Sequence, residues 1–225
     1  MTVLDEAYER LSGAWLENQQ GFVNHGPMVC EALYVMGLEE EVVAWADRSA
    51  RPQRHISDRP SGGGRITDWQ ESLGKFSMLD DWVDHFELSI AEAGWRDTLA
   101  TWVPRLMPSM GTLLFHSLIR TAHATRAIAS AETEPRSQEL AFSLGYWAAR
   151  YGYGRTVLPV TEAAQNDPET EPLDAVRAAL GELASKAARR YVSHPDIFTL
   201  HGVTGAMAVH LLAPHVDLKD ARASV

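Results

Sequence analysis

One cysteine, Cys30, stands in the whole chain. A lone thiol forms neither an internal disulfide nor a thiolate zinc cluster, and it suits a reducing cytoplasm. Lysine is nearly as scarce: Lys75, Lys186 and Lys219 are the only ones among 20 basic residues. The net charge is −10, which argues against nucleic acid as the main partner. No run of about 18 apolar residues marks a membrane span. The opening MTVLDEAYERL is acidic and amphipathic, unlike a signal peptide. No stretch alternates apolar and polar residues in the manner of a half-buried strand.

What remains is helical periodicity and histidine. Hydrophobic residues make up 45% of 225 residues, enough for a core. The expected architecture is all-α: a single domain over residues 1–225, a bundle of about eight to ten helices around a histidine-lined core site. Apolar registers predict helices over 4–16, 39–50, 78–93, 95–103, 137–151, 173–191 and 198–212, with another after Asn24, which can cap it. Pro104 is expected to end the short helix that begins at Trp95. His85 falls off the apolar face of its helix and reads as a surface residue. Residues 51–68, with Pro52, Pro60 and Gly62-Gly63-Gly64, read as a mobile loop. The Walker spacing to Lys and Ser/Thr is missing there. His55 in that loop is expected to face solvent, and residues 215–225 read as a frayed tail.

The stretch Gly111 to Ala131, GTLLFHSLIRTAHATRAIASA, has no proline and is apolar nearly all round, so a long buried helix is expected. His116, Arg120 and His123 fall within roughly 60° of one another on it and need buried partners. The seven-residue step from His116 to His123 is a rise of about 10.5 Å, which makes one shared metal difficult. His116 then serves as a ligand, while Arg120 and His123 are candidate catalytic groups. Arg120 would bind an anionic oxygen and His123 would orient or deprotonate substrate, with His123 also a candidate ligand.

Three places share one pattern: Asn24-His25-Gly26, Phe115-His116-Ser117 and Leu200-His201-Gly202. Each sets a histidine before a small residue and an apolar helical face. Thr204, Gly205 and Ala208 share the face of His201, leaving room beside the imidazole, whereas His210 points the opposite way. Two readings stand open. The histidines form a metal site across helices, of a kind that suits iron, zinc, copper or nickel; or each is a core histidine bonded to a carbonyl or carboxylate. Ferritin-like Glu-x-x-His pairs, a His-Asp doublet and a nucleophile elbow are all missing.

The stretches NHGPMVCEALYVMG, FHSLIRTAHA with the later LAFSLGYWAARYG, and HPDIFTLHGVTGA resemble the questin oxidase-like family. The resemblance spreads from Asn24 to Ala206, in a chain shorter than the fungal members. Those are oxygenases that tailor aromatic polyketides and are associated with non-haem iron. The resemblance implies His25, His116 and His201 as ligands, Fe(II) as cofactor and NADPH as a candidate external reductant. It further implies dioxygen and an aromatic, phenolic or quinone-like molecule as partners, with Baeyer–Villiger or ring-cleavage chemistry.

The alternative is a non-catalytic helical domain that binds a hydrophobic ligand or a protein, its histidines structural. Lys186 carries two readings as well. It adjoins the register of Leu183 and Ala187, so it either faces inward as a carbamate-forming metal ligand or snorkels among Glu182, Arg189 and Arg190. The oligomeric state is not legible in the sequence.

Overall fold

The structure, a computed structural model, describes residues 1–12, 14, 16–17, 23–50, 66–153 and 173–216, with the side chains of 173–178 left aside. The fold is all-α. Ten α-helices run in order among the described residues: α1 (Val3–Leu11), α2 (Gly26–Val35), α3 (Glu39–Ala50), α4 (Trp69–Ser72), α5 (Leu79–Ala93), α6 (Trp95–Leu106), α7 (His116–Ser130), α8 (Glu134–Ala149), α9 (Leu173–Ser193) and α10 (Ile197–Leu212). Short 3₁₀ turns sit at Phe76–Met78, Met107–Ser109 and Ala213–His215. The one extended pairing among these residues is an isolated bridge between Glu17 and Val23. The expected loop falls outside the described residues from 51 to 65, as does the tail from 217. His55 and Trp15 lie there too.

Helix α7 is the axis. From His116 through Thr125 every residue is buried, and α2, α8 and α10 all pack on it. The larger core joins α5, α6, α7, α8 and α10 through Trp82, Phe86, Trp102, Leu118, Ile128, Leu144 and Trp147. A smaller one joins α1, α2 and α3 through Leu4, Tyr8, Leu11, Cys30, Val42 and Ala46, and meets α7 at Ala127. Helices α5 and α8 cross at Gly145, where an added Cβ would stand 2.8 Å from Val83 Cγ2. A side chain there would push the helices apart.

The ends follow capping chemistry. Thr2 and Asp5 form a reciprocal capping box on α1, and Asp196 and Thr199 form another on α10. Asn24 Oδ1 accepts from the Gly26 N–H at 2.8 Å, so Asn24 braces the entry to α2 although His25 is its N-cap. Three boundaries differ from the sequence reading. Helix α1 stops at Leu11, short of Leu16. Pro104 lies inside α6, which continues to Leu106; it removes one ladder bond and crowds the carbonyl four residues back, a cost confined to the last turns of the helix. The long helix expected from Gly111 begins only at His116.

The reason is in the backbone. Leu113, Leu114 and Phe115 have φ of 51°, 55° and 66°. Three consecutive left-handed residues, none of them glycine, form a strained turn that costs about 1–3 kcal/mol at each residue. Such strain persists only where the surroundings enforce it, and here it ends on His116.

Ile197–His215 is the one described helical stretch long and apolar enough to cross a membrane by length and composition. Its His201, Gly205, Ala208 and Leu212 are buried, and α10 packs on α7 and α9. The amphipathic register on α9 forms its helix as expected, yet Leu183 remains 50% exposed.

Candidate metal centre

Three helices bring their histidines to one point. His25 caps the start of α2, His116 is the first residue of α7, and His201 lies in the second turn of α10. His116 Nε2 stands 2.9 Å from His25 Nε2 and 3.1 Å from His201 Nε2. All three nitrogens lie within 4.8 Å of one another. Gly205, one turn beyond His201, gives the space: an added Cβ would meet Phe115 Cγ at 3.0 Å. The room expected beside His201 is therefore filled by the ring of Phe115, the residue that leads into His116.

The second nitrogens orient the rings. His116 Nδ1 donates to the Leu113 carbonyl, which the left-handed turn has swung beneath it. His201 Nδ1 donates to the Ile197 carbonyl at 2.6 Å. A carbonyl only accepts, so the Nδ1 atoms of both rings carry their protons and the Nε2 atoms present lone pairs. Those two lone pairs face each other at 3.1 Å. His25 turns its own Nε2 into the same space, its ring held by the backbone of Val23. A single proton on His25 would relieve one of these contacts and leave the other.

The surroundings resist protonation. Burial lowers the His116 pKa from 6.5 to about 4, and the charges of His25 and His201 add to this. Although His25 is exposed as a residue, the protein atoms crowded around its ring desolvate it and lower its pKa as well, with His201 contributing. Helices α2 and α7 both start here, so their positive ends further disfavour imidazolium. Ligands around an ion at about 2.0–2.1 Å stand about 3.0–3.4 Å apart, close to the 2.9 and 3.1 Å found on either side of His116 Nε2. The three histidines can hold a metal ion. His116 and His201 are buried while His25 is exposed, so the site opens to solvent beside the start of α2.

Arg120 and His123 stand elsewhere, although they share the α7 stripe with His116. Arg120 is fixed to Glu139 of α8 by two bonds, Nε–Oε1 at 2.7 Å and Nη2–Oε2 at 2.8 Å. His123 Nδ1 meets Glu31 Oε2 of α2 at 2.6 Å. Arg126 clamps the same carboxylate with Nε and Nη2, both at 2.6 Å. Glu31 is wholly buried. Burial would raise its pKa, but Arg126 and then His123 pull it down, so it stays ionised. These pairs supply the buried partners that the stripe required, and they take Arg120 and His123 away from the three-histidine group. The nearby Tyr8 hydroxyl is pushed well above its ordinary pKa by burial, then by Glu139 and Glu31.

Lys186 faces solvent and pairs with Glu182 at 2.7 Å, both side chains more than 60% exposed. The inward orientation required of a carbamate ligand is not what its helix presents, and the snorkelling alternative matches. His210 is exposed as expected. His85 is not the surface residue the register suggested: it is half-buried, edge-on to Trp82, Phe86 and Trp102.

Sequence reasoning missed Glu31 and Glu139 as partners. Glu31 is a single acid within an otherwise apolar helical word, and that isolation was the available signal; Glu139 follows the polar run Arg136-Ser137-Gln138 and has no such mark. Comparison of the chain with known protein families, with curated proteins and with solved structures finds no match.

Proposed function

We propose that this chain is a metal-dependent oxygenase in which His25, His116 and His201 hold Fe(II), acting on an aromatic, phenolic or quinone-like small molecule. The convergence of three Nε2 atoms carries the reading. The carbonyl-bound Nδ1 atoms leave opposed lone pairs at 3.1 Å, an arrangement that a cation relieves. Iron would supply an open coordination position for dioxygen. The protein would supply three neutral imidazoles, an approach from solvent on the His25 side, and two helix amino ends that favour an anionic phenolate over a neutral phenol. The resemblance of the three histidine motifs to questin oxidase-like proteins supports the oxygenase class and NADPH as reductant. The single buried cysteine fits a reducing cytoplasm.

One observation favours the rival reading, a helical binding domain with structural histidines: His116 and His201 each bond a backbone carbonyl, as satisfied core histidines do. That reading leaves the opposed Nε2 atoms without an explanation.

Anaerobically purified protein, loaded with Fe(II) and analysed for metal, tests the proposal. One ion per chain is expected, lost in His116→Ala and His201→Ala with the helical circular dichroism kept, and retained in Lys186→Ala. Oxygen uptake with phenolic and quinone substrates should follow the iron content. Protein that takes up neither Fe(II) nor Zn(II), or histidine variants that lose only thermal stability, would overturn it.

A further inference from the structure

Arg105 is a cation without an anion among the described residues. Among the described residues Arg10, Arg96, Arg120, Arg126, Arg136 and Arg150 each hold a carboxylate. Arg105 holds none. Its guanidinium instead lies over two indoles, 4.8 Å from the centroid of Trp69 and 4.9 Å from that of Trp102. The Nε atom is buried with no hydrogen-bond partner, and burial lowers the pKa of the group.

The guanidinium rests against both indoles, whose planes stand at 79° to each other, and it holds no carboxylate among the described residues. The residue lines a pocket of about 250 Å³ walled by Trp69, Leu73, Pro108 and Tyr151, with Gln70 as a further polar group. None of the three histidines lines it, so it is a separate site. The Nε–H is closed off from solvent, so a carboxylate in the pocket would approach the guanidinium end-on and accept from its two terminal nitrogens together, the planar two-bond match that arginine makes and lysine does not. The apolar walls would cover the body of such a ligand. Most ligand pockets are larger, about 300–1,000 Å³, so the fit is to a molecule of one ring.

The geometry points to a second small-molecule site, in which Arg105, framed by Trp69 and Trp102, binds the carboxylate of a compact aromatic or alicyclic acid. It stands independently of the metal reading, and its test uses metal-free protein so that the two fail separately.

Benzoate is the probe, benzamide its neutral counterpart and inorganic phosphate the bare anion. Calorimetric titration of the full chain should give one site for benzoate, with benzamide and phosphate each at least about tenfold weaker, one such factor being about 1.4 kcal/mol. The indole N–H signals of Trp69 and Trp102, assigned by Trp→Phe variants, should shift with the same saturation curve. Arg105→Lys should weaken benzoate at least about tenfold, since a point charge cannot make the paired bonds, and Arg105→Leu should abolish binding. His116→Ala should bind benzoate as the unaltered chain does. Equal affinity for benzoate and benzamide would overturn the assignment, as would an Arg105→Lys protein that binds normally. So would indole signals of the unaltered chain that stay fixed at about 20 mM benzoate, the weak end of the affinity range. That last readout needs no variant to fold.

Discussion

Replacing Arg120 by methionine isolates what its ion pair with Glu139 does. The two side chains are 4% and 9% exposed and joined by two bonds under 3 Å. Removing the guanidinium leaves a carboxylate in a site that water hardly reaches. Breaking one side of a buried pair costs about 3–5 kcal/mol, a large part of the roughly 5–15 kcal/mol that holds a domain folded. With a urea dependence of about 1–3 kcal/mol per molar, the midpoint should drop by at least about 1 M. One feature separates this cost from lost packing. The double variant Arg120→Met/Glu139→Leu should recover at least half of the loss, as apolar replacement of a whole buried pair is tolerated. Urea unfolding of metal-free protein, followed by circular dichroism, measures both. A loss under about 1 kcal/mol in Arg120→Met, outside the range for a stranded buried charge, would refute the reasoning. A loss of metal at unchanged stability would instead place Arg120 at the metal centre.

The pH dependence of the metal-free protein follows from His116 and His25, whose folded pKa values lie below the unfolded one. The unfolded chain then binds more protons at mildly acid pH, so stability is full above 6.5 and is lost as pH falls towards the His116 value of about 4. At about 1.36 kcal/mol per unit, His116 alone accounts for about 3 kcal/mol across that window; thermal melts of the metal-free protein that stay flat from pH 7 to 4.5 would refute this. Gly205→Ala should weaken metal affinity with little change in stability, because the new Cβ would press the Phe115 ring at 3.0 Å while alanine gains about 1 kcal/mol of helix propensity. Metal titration of that variant is the measure, and unchanged affinity would show that Phe115 has room to yield.

Much of the bundle is legible because helix formation here is local. The registers around Leu4, Val42, Trp82, Leu144 and Leu212 each mark a buried face. The three histidine motifs are legible as well, since a ligand-bearing helix start keeps its small and apolar neighbours close in sequence. Partners across helices are not. Nothing near His123 announces Glu31, 92 positions away. A helical wheel places His116, Arg120 and His123 on one stripe, but it cannot tell that α2, α8 and α10 divide that stripe among them. The turn at Leu113 to Phe115 is hidden for a different reason. Leucine and phenylalanine favour right-handed helix, and only tertiary contacts such as Phe115 against Gly205 hold them left-handed. His85 was misread because its helix is covered on more than one side, by Trp102 of α6 as well as by the main core.

The three histidines also bear on the order in which the protein is made. His25 and His116 are 91 positions apart, and His116 and His201 another 85. Chains emerge amino end first, so the third nitrogen arrives only after α2 and α7 have been synthesised and α10 has docked. An ion held by all three would close two long loops at once, and the entropic cost of a loop grows by only about 0.6 kcal/mol for each doubling of its length. Metal at a hundred times its dissociation constant adds about 2.7 kcal/mol to the folded state. Loading would therefore be a step that fastens the bundle once α10 is in place, and a nascent chain ending before α10 would offer two ligands and gain none of that three-point closure.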